Sequence, residues 1–155
     1  MENQNKAIVN TLNNLIETNY DRTKGYQTAA ENTDDPSHKA KFSQYASQSM
    51  NFKNELDGLV RNYGGDPPKS SSASGAVYHA WMDTKAALTS KDTKAMLNSC
   101  EFGEDAAKKR YNEANKESSS FPADVQTVIN RQRAEIIRAH DDIRSLRDSY
   151  VEHHH

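Results

Sequence analysis

The sequence is poor in the residues that mark several common protein classes. Its 155 residues include one cysteine, Cys100, so no disulfide can form within the chain, and we expect a reducing compartment, by default the cytoplasm. No apolar run approaches the roughly 20 residues that cross a bilayer, and the N-terminus has no signal-peptide pattern. Valine and isoleucine are sparse and do not alternate with polar residues, so the sequence predicts no strands.

An excess of positive charge is also missing. Lysine and arginine number 20, aspartate and glutamate 22, and the formal net charge is −2. We therefore expect neither nucleic acid nor an anionic membrane surface as a partner, because both attract basic patches. Nucleophile elbows, phosphate loops, cysteine zinc clusters and dinucleotide fingerprints are absent from the sequence. The apolar fraction of 34% is typical of an elongated helical bundle, in which each helix buries one stripe.

Helical periodicity dominates what is present. It predicts four long helices, and short breaks within the first and second pairs make each pair an antiparallel hairpin. Ser90 is the predicted N-cap of the third helix. The predicted helices cover about residues 3–32, 36–63, 91–116 and 122–150.

The two hairpins are joined by an unusually long connection. Residues 65–75 are rich in proline, serine and glycine and predict a linker, and a short amphipathic helix is predicted over 76–88. Trp81 would hold this crossover helix on the bundle. Such a crossover lets the second and third long helices run parallel, so the predicted fold class is an all-α, ferritin-like four-helix bundle. We expect one domain over residues 1–150, and interpret residues 151–155 as the remnant of a purification tag.

Each long helix carries one polar residue inside its apolar stripe, near its middle, and the four are expected to form one layer. At this level, ferritin-like carboxylate proteins hold two metal ions with glutamates from two helices and a Glu-x-x-His motif from each of the others. This layer offers one carboxylate, and residues 1–150 contain no Glu-x-x-His. The four residues are Asn19, Ser49, Glu104 and Gln132.

Two interpretations of Glu104 follow from this pattern. In the first, it is a buried acid that hydrogen-bonds to the amides or hydroxyl of the layer, with no cofactor. In the second, a single metal ion is bound by acids and the one suitably placed histidine. Gly103 is expected to allow close approach of a neighbouring helix or of Trp81, and Glu101 and Asp105 to help dock the crossover helix. The candidate metal ligands are Glu101, Glu104, Glu135 and His140.

Four segments carry a resemblance to a known family: residues 15–18 (LIET), 81–85 (WMDTK), 100–105 (CEFGED) and 140–148 (HDDIRSLRD). They resemble an uncharacterised bacterial family, domain of unknown function 2383, over about residues 8–150. The resemblance implies a ferritin-like four-helix bundle, and the acids at positions 101, 104 and 105 match the family's motif. It implies no particular reaction.

Three functional hypotheses remain open. The first is a non-enzymatic, stress-related bundle that acts by self-association, for example as a homodimer, or by binding another protein. The second is a ferritin-like oxidoreductase or iron-handling protein that binds iron or manganese with a reduced ligand set. The third is a small-molecule pocket beneath the crossover helix, lined by Tyr45, Trp81 and Tyr111.

Overall fold

The computed structural model describes residues 2–153, with side chains described for residues 3–150. Four long helices and two short ones account for the regular structure, no strand occurs among these residues, and the predicted all-α class is confirmed. Of the predicted tag remnant, His154 and His155 lie outside the described residues. The elements are α1 (Glu2–Asn32), α2 (Pro36–Asn62), α3 (Gly75–Met82), α4 (Lys85–Leu88), α5 (Thr93–Glu117), a 3-10 turn (Ser118–Ser120) and α6 (Ala123–His153).

Capping residues determine where the long helices begin. Asp35 precedes Pro36, and its carboxylate accepts hydrogen bonds from two backbone N–H groups in the first turn of α2. For α5 the predicted N-cap was wrong: Asp92 is the cap, and it accepts a bond from the Ala95 N–H at 3.1 Å. The Ser90 hydroxyl instead donates to the carbonyl of Ala87, at the end of the preceding turn.

Two antiparallel hairpins, α1–α2 and α5–α6, form the bundle, and the crossover between them contains α3 and α4 rather than one continuous short helix. The break follows Asp83, where the Thr84 hydroxyl donates back to the Ala80 carbonyl at 3.0 Å. No helix among residues 2–153 has an apolar stretch long enough to span a bilayer.

Trp81 attaches the crossover to the bundle by packing between two glycines. Its side chain is fully buried. A Cβ atom added to Gly25 of α1 would lie 2.1 Å from the indole ring, and one added to Gly103 of α5 would lie 2.2 Å from it. The ring therefore contacts the backbone of both helices, which confirms that Gly103 serves the close approach of Trp81.

Buried apolar side chains form two clusters, one toward each end of the bundle. Tyr111 belongs to the cluster around Ile8 and Leu56, whereas Tyr45 and Trp81 belong to the cluster around Tyr26 and Leu97. Because Trp81 and Tyr111 are both fully buried, in different clusters, the predicted small-molecule pocket between Tyr45, Trp81 and Tyr111 was wrong. The polar layer lies between the two clusters.

The glycine contacts of Trp81 predict opposite effects of the same substitution at two helical positions. Gly103→Ala should lower the free energy of unfolding by about 2 kcal/mol, because overpacking a filled core typically costs 1–3 kcal/mol. Gly58→Ala is the matched control: no atom lies within 4 Å of its added Cβ, so it should gain about 0.5–1 kcal/mol from helix propensity alone. Urea unfolding measures both. Equal effects at the two positions would contradict the packing described.

Candidate functional site

A buried ion pair lies at the centre of the polar layer. Arg22 of α1 and Glu104 of α5 both have fully buried side chains. The guanidinium donates from Nε to Oε1 at 2.7 Å and from the terminal Nη2 to Oε2 at 2.9 Å, so the contact is bidentate. This geometry gives the strongest form of side-chain ion pair and fixes both side chains in orientation.

Three further side chains surround the pair. Tyr26 donates its hydroxyl proton to Oε2 of Glu104 at 2.8 Å, and the remaining terminal nitrogen of Arg22 donates to the Ser49 hydroxyl at 2.7 Å. The guanidinium carbon also lies 5.2 Å from the ring centroid of Tyr26 and 5.5 Å from that of Tyr45. Aromatic faces at this distance attract a cation. The carboxylate, the hydroxyl and the two aromatic rings around the guanidinium therefore all favour the charged form of Arg22.

The electrostatics of the cluster keep its members in fixed protonation states. Burial alone would lower the pKa of Arg22, but the charge and hydrogen bonds of Glu104 outweigh it and raise the pKa above its ordinary value. Burial raises the pKa of Tyr26, and the adjacent Glu104 raises it further. Burial likewise raises the pKa of the Cys100 thiol, with a second contribution from Glu104. At neutral pH Tyr26 is therefore a donor and Cys100 a packed thiol rather than a nucleophile.

The other members of the predicted layer form a second, separate network. Asn19 donates to the Tyr111 hydroxyl at 2.8 Å, and Tyr111 donates to Oε1 of Gln132 at 2.7 Å. Gln132 in turn donates to Glu55 at 3.0 Å. The expected bonds from Glu104 to Asn19, Ser49 or Gln132 are thus replaced: Arg22 and Tyr26 occupy the carboxylate, and Ser49 reaches it only through Arg22.

Two of the proposed metal ligands bond to arginines at the edge of the bundle. Glu101 accepts from Arg144 at 3.0 Å and also pairs with Arg147, both on α6. Glu135 pairs with Arg138 one turn along the same helix. Glu101 therefore joins α5 to α6. The prediction that Glu101 docks the crossover helix was wrong.

His140 is buried, and both of its ring nitrogens face acids. Nε2 lies 2.5 Å from Asp105 of α5 and Nδ1 lies 3.1 Å from Asp141. Asp105 thus also contacts α6 rather than the crossover. Neither Glu101, Glu104 nor Glu135 is among these contacts, and the described residues include no group of three His, Cys, Asp or Glu side chains that could hold a metal ion. The structure does not bring the four candidate ligands together.

The donor chemistry at the centre of the bundle does not fit a metal ion. A carboxylate metal site needs free oxygen ligands with excess negative charge. Both Glu104 oxygens already accept hydrogen bonds from Arg22, and Tyr26 adds a third. The guanidinium also places a positive charge where a metal cation would have to bind, so the two would repel each other.

Arg22 is the functional residue that sequence analysis missed. A fully buried arginine is rare, and the predicted polar layer contained Asn19 of α1 but not Arg22. The available signal was its spacing: Arg22 lies three residues after Asn19 and four before Tyr26, on the same helical face. An arginine on the apolar stripe of one helix and a glutamate on the stripe of another together predict an internal pair.

A further buried acid lies under the crossover. Asp21 of α1 is 5% exposed and hydrogen-bonds to Ser71 of the linker. Burial raises the pKa of Asp21 to about 6; the Ser71 bond and Lys24 oppose this shift, and the nearby Glu17 adds to it. Asp21 is thus ionised at neutral pH although it is buried.

Comparisons with known proteins agree with this architecture. A family model described as "Domain of unknown function (DUF2383)" matches residues 7–117. No functionally curated protein matches the sequence. Among solved structures, a Mycobacterium smegmatis Dps1 mutant is similar at a TM-score of 0.76 and 10% identity, over 95% of this chain and 99% of that chain. A structure titled as ferritin like, diiron-carboxylate proteins, from Bacillus anthracis str. Ames, is similar at 0.75 and 16% identity, with the same coverage of both chains. These similarities confirm the predicted ferritin-like fold.

The central ion pair predicts strong non-additivity. Arg22→Leu should lower the free energy of unfolding by about 3–5 kcal/mol, because it leaves a carboxylate buried without its partner. Adding Glu104→Leu should recover much of this loss, since the unpaired charge is removed as well. Arg138→Leu is the control, and breaking its exposed pair with Glu135 should change stability by less than about 1 kcal/mol. Additive losses in a double-mutant cycle of urea unfolding would contradict a coupled pair.

Asp21 predicts a pH dependence of defined sign. Its folded-state pKa is above the ordinary aspartate value of about 3.9, so between about pH 4 and 6 the folded state binds more protons and the free energy of unfolding falls as pH rises. Asp21→Asn removes this loss, so the variant should gain stability relative to wild type as pH rises from about 4 to 7. Exposed Asp34→Asn is the control. A difference from wild type that stays constant over this range would contradict the assignment.

Proposed function

We propose, since the chain belongs to the DUF2383 family, that it is a ferritin-like bundle whose centre is closed by an internal ion pair instead of metal ions, and that it acts by self-association. The observation that carries the first part is the bidentate contact of Arg22 with Glu104. The guanidinium supplies the positive charge that the buried carboxylate requires, without any bound ion. The stress-related role stays a prediction.

Self-association is supported by the outward face of α2. In the central part of this face, from Ala40 to Gly58, the exposed residues recur at helical spacing and carry no charge, although charged residues make up 27% of the chain. In a two-fold contact a side chain near the axis meets its own copy, so a charged residue there would face a like charge. The uncharged central part of this face avoids that repulsion. The exposed residues of this central part are Ala40, Ser43, Gln44, Ser47, Asn51, Asn54 and Gly58, and the exposed Lys39 and Arg61 lie beyond its two ends.

A groove on each side of this face also supports self-association. One, of about 560 Å³, lies between α1 and α2, and another, of about 470 Å³, lies between α2 and α6. Ser47 and Asn51 line both. A ridge between two grooves can pack against a copy of itself, because the ridge of each partner enters a groove of the other.

The metal part of the proposal is tested by elemental analysis of tag-free protein after exposure to iron, manganese and zinc. We expect far less than one ion per chain, because the Glu104 oxygens are occupied and the guanidinium repels cations. Near-stoichiometric metal that is lost in Glu104→Ala would overturn this part. That result would favour the second hypothesis, an iron- or manganese-binding protein.

The association part is tested by light scattering coupled to size-exclusion chromatography. Wild type should have the mass of a dimer or larger, and Ser47→Arg should shift it toward the monomer because it places like charges across the contact. Asn98→Arg, on the exposed side of α5, is the matched control and should leave the mass unchanged. A monomeric wild type at all concentrations, or equal effects of the two substitutions, would overturn self-association through α2.

A further inference from the structure

A cavity of about 360 Å³ lies between α1, the end of the linker and α5. Its volume falls within the range of small-molecule sites. Glu17 and Asp21 line it from α1, Ser74 and Gly75 from the start of α3, and Arg110 from α5. Self-association through α2 does not use this cavity, so a role for it would be independent of the proposed function.

The α1 wall of the cavity is acidic. Glu17 and Asp21 are four residues apart and therefore lie on one helical face. Asp21 is only 5% exposed and forms no ion pair with the described side chains. Its hydrogen-bond partner is the neutral Ser71 hydroxyl. Lys24, three residues along α1, is near enough to lower the pKa of Asp21 but forms no ion pair with it. The buried carboxylate therefore lacks the directly bonded cation that an ammonium group would provide.

The cavity lining also carries a positive charge, on Arg110 of α5. Arg110 lies there with its guanidinium 3.7 Å from Glu113, a loose pair at the surface. The N-cap of α3, Ser74, makes no side-chain capping bond, and its hydroxyl lies 2.9 Å from that of Ser72 instead. The first backbone N–H groups of α3 thus have no side-chain acceptor, and such groups attract a carboxylate.

We propose that this cavity binds a small zwitterion of the α-amino-acid class, with its ammonium group at Asp21 and Glu17 and its carboxylate between Arg110 and the start of α3. A lining that holds both acids and an arginine favours a ligand with both charges. A diamine would bring a second ammonium group to Arg110, and a dicarboxylate would bring a second carboxylate to Asp21. Val77, which also lines the cavity, provides an apolar contact for a short aliphatic side chain.

Titration calorimetry with the full chain tests the site with four probes. L-alanine carries both charges, N-acetyl-L-alanine lacks the ammonium, L-alaninamide lacks the carboxylate, and putrescine carries two ammonium groups. We expect alanine to bind, and each other probe to bind at least about tenfold more weakly, because each loses a charge-assisted contact. Undetectable binding of alanine at millimolar concentration, or equal binding of a probe with one charge removed, would overturn the proposal.

Variants assign the contacts within the cavity. Asp21→Asn should weaken alanine binding by about tenfold or more, because the ammonium loses its buried carboxylate. Asp34→Asn, at an acid whose side chain is 79% exposed, is the matched control and should bind as wild type does. Arg110→Gln, at a half-buried side chain, is a second test should Asp21→Asn fail to fold, and it should weaken alanine more than alaninamide. Unchanged alanine binding in the folded variants would contradict the site.

Discussion

Burying one full charge in a helical bundle obliges the fold to bury its opposite beside it. Arg22 and Glu104 meet this requirement, and much of the molecule is arranged around them. The bidentate contact fixes the relative height of α1 and α5, and the Ser49 hydroxyl extends the same constraint to α2. A slip of one helix along another would separate the charges inside a medium of low polarity, which is far costlier than losing an apolar contact. The pair therefore specifies register, which apolar packing alone specifies weakly.

The pair also explains how a ferritin-like backbone can persist without the ligand set associated with metals. In a carboxylate metal centre, the positive charge is an ion that can exchange with solvent. Here the charge is a side chain, so it is always present at fixed stoichiometry. It cannot change oxidation state, and its coordination cannot open to admit a substrate. Such a centre stabilises the fold, and the binding roles that we propose lie elsewhere, on the outward face of α2 and in the cavity beneath the crossover.

Sequence patterns predicted the architecture well because they report on local energetics. The apolar stripes, the turn at Asp35–Pro36 and the proline-rich linker each follow from the preferences of a few neighbouring residues, and the family motif extended them to the whole fold. The predicted N-cap of α5 was wrong by two residues, because Ser90 and Asp92 are both residue types that cap helices and tertiary packing decides between them.

The sequence predicted some residues of the polar layer but not their hydrogen-bond partners. A helical wheel gives the direction of a side chain but not how far it extends. Arg22 reaches Glu104 of α5 with its own long side chain, whereas the short side chain of Asn19 bonds to its own helix at Leu15 and meets α5 through the long side chain of Tyr111. Asp21 was missed for a related reason, since its burial depends on the linker that covers it.

Trp81 is the only tryptophan in the chain, and it lies between the backbones of Gly25 and Gly103. Intrinsic indole emission therefore originates from a single point, where the crossover meets the two helices that carry the buried charges. Helix content measured by circular dichroism is dominated by the four long helices. The two signals consequently report on different events, so departure of the crossover from an otherwise intact bundle would be visible as a change in emission with little loss of ellipticity. The protein thus carries its own optical probe for local opening, at the place where a ligand of the neighbouring cavity would be expected to alter it.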